Sequence, residues 1–309
     1  MKSLKADDKL PLLTIFTPAY NRAHTIGRTY ESLCRQTCKN FEWLIIDDGS
    51  TDNTRELVEG WIAENKIPIR YIYQDNQGMH GAHNTAYKNI KTELNTCIDS
   101  DDWMPDDAVE TILNIWAEMG SDDFSGIVGL DYSTEGKLIG TMFDGDFQAV
   151  RLEDFYNQGG KGDKKLVYRT DVINSVPEYP IFEGERYVGL SYKYLLVEDR
   201  YPMLTINKPL VIVDYQEDGS SSSMYKQYWN NPKGWMFYRR FELTRKTSLR
   251  RKFKVCIHYV SSCIRASKIC EVFSNSQPFL TLLSLPFGVC LYFYIKNKIN
   301  NNKQMIFPR

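Results

Sequence analysis

Apolar runs of strand length alternate with amphipathic stretches of helix length through the first 120 residues. Residues 12–16 form an apolar run closed by Pro18, and residues 41–46, 69–73 and 94–98 repeat the pattern. Runs of this length bounded by turn residues predict buried strands. Between them, apolar side chains recur at helical spacing. Ile26, Tyr30, Leu33 and Cys34 mark 24–37, and Leu57, Val58, Trp61 and Ile62 mark 52–63. A third helix suits 78–90. Asp52 stands where a helix N-cap is expected, and Pro105 suits the opening of a fourth helix carrying Ile112, Leu113 and Trp116. Four such alternations predict an α/β fold with a mostly parallel, doubly wound sheet. Two further strands are expected at 127–131 and 210–215, whereas 143–165 is rich in Gly and turn residues.

In an open parallel sheet, ligands bind beyond the carboxyl ends of the strands. Three predicted strand ends carry polar clusters there. Asp99-Ser100-Asp101-Asp102 offers carboxylates that can converge on one hard cation, Mn²⁺ or Mg²⁺, with substrate phosphates completing its shell. The plainer alternative makes Asp102 a helix cap and the others solvated turn residues. The apolar run before the cluster, with Trp103 and Pro105 after it, favours the metal. In Asp47-Asp48-Gly49-Ser50, an aspartate can accept a pyrimidine ring N–H while Gly permits a tight turn beside a ligand. An ordinary turn and cap explains the same residues equally well. Thr17-Pro18-Ala19-Tyr20-Asn21 could lay Tyr20 against a base, or be a βα loop with a buried Tyr. Gly78-Met79-His80-Gly81-Ala82-His83-Asn84 puts small residues at a helix start, where backbone N–H groups can face an anion. His80 and His83 could touch phosphate or sugar, and a structural role is an equal alternative for His83.

Taken together, in this order and spacing, the four motifs resemble the family 2 glycosyltransferases of the GT-A fold, over about residues 10–120 and extending to about 225. The resemblance implies a nucleotide-diphospho-sugar transferase. Asp101, with Asp99 or Asp102, would hold the metal and diphosphate, and Asp48 would contact the base. Pro18, Tyr20 and Asn21 would line the nucleoside, and Gly78, His80 and Asn84 would lie against the donor. The chain departs from the family by lacking a Lys or Arg in the third motif. Inverting members use a carboxylate from the second half of the domain as general base. Residues 182–187 resemble that segment, with Glu185 the first candidate and Glu183 the second. Some relatives carry a further Glu where this chain has Leu190.

The net charge of −1 conceals an asymmetry. Of 38 basic and 39 acidic residues, 16 basic and only two acidic ones lie from Lys226 onward, leaving 22 basic against 37 acidic before it. A basic helical extension, 226–309, is therefore set apart from a catalytic domain, 1–225. Aromatic residues interleave with the Arg/Lys run at 235–254. Residues 279–295 are largely apolar but broken by Ser284, Pro286 and Gly288. At that length, short of the ~20 residues a spanning helix needs, the segment predicts an interfacial hairpin or half-inserted element anchored to anionic lipid; a helical cap on the catalytic domain is the alternative. No nucleic-acid recognition motif accompanies the basic run. Cys256, Cys263 and Cys270 recur every seven residues and predict one packing seam. Seven scattered cysteines without an apolar leader suggest free thiols. The expectation is a cytoplasmic enzyme, peripheral at the inner face of a membrane. It would move a hexosyl or N-acetylhexosaminyl group from a nucleotide-sugar, most simply UDP-linked, to a glycan or lipid-linked acceptor in surface polysaccharide synthesis. A nucleotidyltransferase and a non-catalytic nucleotide- or glycan-binding module are the rivals. The lack of a Gly-rich, Lys-containing loop near the N-terminus speaks against the first.

Overall fold

A computed structural model describes residues 12–214 and 224–306. They form two compact units, 12–178 with 193–214, and 179–192 with 224–306. The second unit thus takes in a short stretch, 179–192, from within the expected catalytic domain.

In the first unit the chain runs β1 (Leu13–Ala19), α1 (Ile26–Arg35), β2 (Phe41–Asp47), α2 (Thr54–Glu64), β3 (Ile69–Tyr73), α3 (Met79–Asn89), β4 (Leu94–Cys97), α4 (Ala108–Met119) and β5 (Gly126–Ser133). It continues through β6 (Ala149–Val150), α5 (Leu152–Asn157), β7 (Lys164–Arg169), α6 (Thr170–Asn174), α7 (Ser191–Glu198, entered from the second unit) and β8 (Met203–Val213). One eight-stranded sheet has the order β3-β2-β1-β4-β7-β5-β8-β6. The first four strands are mutually parallel, while β7 is antiparallel to both β4 and β5. Every residue of β1 is buried, as a central strand covered on both faces requires. Pro18 fits there because β4 leaves the pairing after Phe16↔Cys97; the missing N–H faces a side with no further ladder. Trp43, Tyr30 and Trp61 stack beneath β2, the closest centroids being 4.4 Å apart.

Most predicted boundaries hold to within two residues, but β1 runs three residues past its expected end, and β8 begins at Met203, seven residues before the expected 210; residue 215, the expected end of that strand, lies outside the described residues. α4 is an exception, beginning three residues after Pro105 with Asp107 as its N-cap residue. Asp52 does not occupy the cap position of α2, which is Asn53. Strand β7 lies at the end of the stretch expected to be turns. Its two opening lysines, both buried, disguise it. Lys164 spends its ammonium on the carbonyls of Lys161, Asp163 and Gly162.

The second unit contains α8 (Met224–Asn230), α9 (Pro232–Glu242), α10 (Leu249–Arg265) and α11 (Pro278–Ile306). Ser248 caps α10 by accepting the Arg251 N–H at 3.3 Å. Cys256 and Cys263 share the buried seam with Val255, Tyr259 and Val260. Cys270 does not join them: α10 has ended, and Cys270 is exposed in a 3₁₀ turn. A Cβ at Gly288 would come within 2.5 Å of the Val260 Cβ, so α11 can approach α10 closely only because that position is glycine. The break expected at Pro286 does not occur. α11 runs through it as one helix, and Pro278–Asn300 is long and apolar enough to cross a membrane by length and composition, with only 22% of its most apolar stretch buried.

One glycine joins β5 to β7. Gly126 has φ +148°, and a Cβ there would collide with the Val167 carbonyl oxygen. Gly126→Ala is expected to destabilise the protein by about 2–4 kcal/mol, read as a lower urea midpoint without loss of secondary structure in the folded baseline.

Candidate active site

The loops that leave β1, β2 and β3 at their carboxyl ends are laced into one rim. Asn21 adopts a left-handed backbone, φ +54°, a conformation Asn tolerates better than most side chains. Its N–H donates to the Ser50 hydroxyl at 2.9 Å, and its side-chain carbonyl accepts the Thr51 N–H at 2.7 Å. The Asp52 carboxylate accepts the Ala23 N–H at 3.0 Å, which is what Asp52 does instead of capping α2 alone. Asp47 is buried and receives the Ser50 N–H and the Tyr71 hydroxyl, at 2.7 and 2.5 Å.

Asp48 ties the third loop to this pair. It is 4% exposed, and its carboxylate accepts the Gln74 side-chain amide at 2.7 Å and the Gln77 and Gly78 N–H groups, each at 2.8 Å. Gly49, φ +85°, lets the turn lie against Asn76. Tyr20 projects from this rim and is 45% exposed, so it is not the buried loop Tyr of the alternative reading. Gly78, φ +82°, opens α3, and His80, His83 and Asn84 are buried along the helix. Burial, then the neighbouring His83, lowers the His80 pKa to about 4; burial lowers that of His83 to about 4 as well, against the opposing Met79 carbonyl bond. Both rings are neutral at pH 7.

The acidic cluster follows β4. Burial, then Asp99, raises the Asp101 pKa, with Asp214 also acting on it and Arg22 opposing. Burial, then Asp99, raises Asp102 to about 7. Asp102 Oδ1 accepts the Asp214 N–H at 3.1 Å, and its carbonyl accepts the Thr29 hydroxyl at 2.7 Å. Next to it, Trp103 and Ile212 exchange backbone hydrogen bonds, and Arg28 pairs with Asp214 at 2.5 Å. Asp102 is therefore half committed to fastening the end of β8, while Asp99 and Asp101 lie at the turn itself. Among the described residues no three His, Cys, Asp or Glu side chains form a ready cage. Oxygen donors with like-charge strain between them nevertheless fit a hard cation, which would relieve that strain.

Glu185 and Glu183 belong to the second unit. Glu185 is buried, and its two oxygens accept the Lys233 and Gly234 N–H groups at 2.9 and 2.8 Å. It therefore serves the first turn of α9, a stabilising use of a carboxylate. Glu183 is exposed. Sequence reasoning missed Asp214 and Arg28 beside the acidic turn and Gln74 and Gln77 on Asp48, because none sits in a recognisable motif.

Residues 14–173, just over half of the chain, match the family described as "Glycosyl transferase family 2". The chain belongs to this family. Among curated relatives it is 36% identical to glycosyltransferase GlyA of Streptococcus pneumoniae over 116 residues, 38% of this chain and 16% of that protein. It is 40% identical to a chondroitin synthase of Escherichia coli over 106 residues, 34% of this chain and 15% of that one. The chain thus matches only about a sixth of each relative's length. Among solved structures, S. aureus TarS 1–349 in complex with UDP-GlcNAc aligns with TM-score 0.59 and 19% identity over 92% of this chain and 81% of that one. A Pyrobaculum calidifontis mannosyltransferase in complex with GDP-Man and Mn²⁺ aligns with TM-score 0.54 and 15% identity over 97% and 86%. These likenesses show the fold, which is of the GT-A type.

The buried histidines give a pH test. Between pH 6.5 and about 4 the unfolded chain takes up protons that the folded rings refuse, so the rings' own contribution to stability is full above 6.5 and falls as the pH drops through that window. The loss is at most about 3 kcal/mol per ring. Buried Asp102, raised to about 7, and Asp131, raised to about 6, gain stability over the same interval, so the test is a difference: between pH 7.5 and 5 the urea midpoint of His83→Gln should change less unfavourably than that of the wild type.

Proposed function

We propose that this chain is an inverting glycosyltransferase that moves a hexosyl or N-acetylhexosaminyl group from a UDP-linked donor to a glycan or lipid-linked acceptor in surface polysaccharide synthesis. The observation that carries the reading is the laced rim of three βα loops beside the Asp99–Asp102 turn, all at the carboxyl ends of parallel strands. Asp48, held rigid by Gln77 and Gly78, contacts the base together with Tyr20, Pro18 and Asn21. The start of α3, with Gly78, His80 and Asn84, offers polar and backbone groups to the donor. Asp101 with Asp99 would hold Mn²⁺ or Mg²⁺, and Asp102 would complete or brace that pair. When bound, such an ion neutralises the diphosphate leaving group. A carboxylate takes the proton from the acceptor hydroxyl as it attacks the anomeric carbon from the face opposite the diphosphate. Glu183 is now the first candidate for that base, because Glu185 already holds α9. Relatives named as chondroitin and hyaluronan synthases support a polysaccharide product, and the UDP-GlcNAc complex of TarS supports a UDP-linked donor.

The second unit supplies the membrane side of this proposal. Phe279, Leu282, Leu283, Phe287 and Phe293 on α11 are each at least half exposed. Phe253 of α10 meets Phe287 with centroids 5.7 Å apart, which brings exposed Arg250, Arg251 and Lys254 to the same part of the unit. An apolar stripe flanked by cations suits the inner, anionic face of a membrane. The enzyme would then work from the cytoplasm.

Asp101→Asn should weaken Mn²⁺-dependent UDP binding roughly a hundredfold or more and abolish transfer. Wild-type binding by this variant in calorimetry would refute the metal assignment. A thermal-shift screen of nucleotide-sugars with and without Mn²⁺ identifies the donor. Leu283→Asp with Phe287→Asp should reduce flotation with anionic vesicles at least tenfold, leaving UDP binding intact.

A further inference from the structure

The third motif, residues 78–84, holds no Lys or Arg, yet a cation stands close to the acidic turn from another direction. Lys165 lies on β7, where Thr96 of β4 pairs with Val167; two residues beyond that pair, Lys165 is level with the point at which β4 has ended. It is 9% exposed, and its ammonium donates to the carbonyl of Cys97, the last residue of β4. The Cys97 thiol in turn reaches the Asp99 carboxylate at 3.9 Å. On the other side, Gly129 of β5 pairs with Lys165, and Asp131 follows two residues later. Asp131 is 5% exposed, and its Oδ1 is buried with no hydrogen-bond partner. The Lys165 charge reaches Asp131, Asp102, Cys97 and His83, and Asp131 also feels Lys164, Asp163 and Asp99. A buried carboxylate with one oxygen left without a hydrogen bond is costly unless a positive charge acts on it.

We propose that Lys165 is a positioning residue of the donor site: a fixed ammonium that fastens the end of β4 and supplies, from beneath the acidic turn, the positive charge that the third motif lacks. The inference rests on the donor reading above. A fixed cation at this place favours the nucleotide's diphosphate and disfavours a free divalent ion. A merely structural lysine, when removed, would loosen the turn and weaken both.

The test is calorimetry on the full chain with two probes, UDP without metal and Mn²⁺ without nucleotide. Lys165→Met should weaken UDP and tighten Mn²⁺, each by about three- to tenfold, while Lys165→Arg stays near wild type in both. Weakening of both probes together, or no change in either, overturns the inference. If Lys165→Met does not fold, Asp131→Asn decides, since it removes the facing carboxylate and keeps the lysine: UDP should tighten and Mn²⁺ weaken, and any other pattern overturns the inference. A wild-type protein that binds no uridine nucleotide with or without Mn²⁺ overturns the donor reading itself, and this inference with it, before any variant is compared.

Discussion

The rim at the carboxyl ends of β1, β2 and β3 depends on one buried carboxylate. Asp48 sits at the end of β2 and gathers the Gln77 and Gly78 N–H groups and the Gln74 amide. Three loops leave parallel strands there, and loops of this kind have no ladder of their own to fix them. A charged acceptor taken out of water must be satisfied by nearby donors, so burying Asp48 forces the β3–α3 loop to turn its backbone toward β2. The Asn21–Ser50–Thr51 bonds do the same for the β1–α1 loop. The rim is rigid because its polar groups have been spent on each other, and this fixes the three loops in one arrangement.

The acidic turn obeys the opposite logic. Asp99, Asp101 and Asp102 are held where burial and mutual repulsion push the carboxyls of Asp101 and Asp102 upward. Such strain persists only where the surroundings over-determine the conformation. Here the surroundings are the Trp103–Ile212 bridge, the Asp214 N–H on Asp102 and the Thr29 hydroxyl on its carbonyl. The fold has satisfied one loop cluster and left like charges crowded in its neighbour, and that contrast is why the two behave differently.

The parallel half of the sheet was legible in the sequence because β1 and β2 are buried almost throughout and read as largely apolar runs; the border strand β3 is only partly buried, yet its short run of Ile and Tyr residues, 69–73, matches the strand end for end. Strand β7 was not legible. Its first two residues are lysines whose ammonium groups are met by backbone carbonyls, those of the preceding turn for Lys164 and that of distant Cys97 for Lys165, and neither contact shows in the apolar pattern. Asp48, Tyr20 and the acidic turn were recognisable because each motif sits at a strand end. The use of Glu185 was not, since capping α9 pairs it with residues nearly fifty positions away. Pro286 misled for a simpler reason. Proline removes one helical hydrogen bond, yet a long apolar helix packed through Gly288 tolerates the loss.

The two-residue strand β6 has a consequence for solubility. An open sheet normally exposes a row of unpaired backbone groups at each border, an invitation to another chain's strand. On the β8 side that row is largely consumed from within. Thr205 is bonded on both its N–H and carbonyl by Gln148 and Phe147, Asn207 by the Asp146 carboxylate, and Ile212 by Trp103. Crowded copies of this protein therefore find little template for intermolecular strand pairing along that border, and the burden of remaining monodisperse falls on the β3 border, where Arg70 and Tyr73 stand.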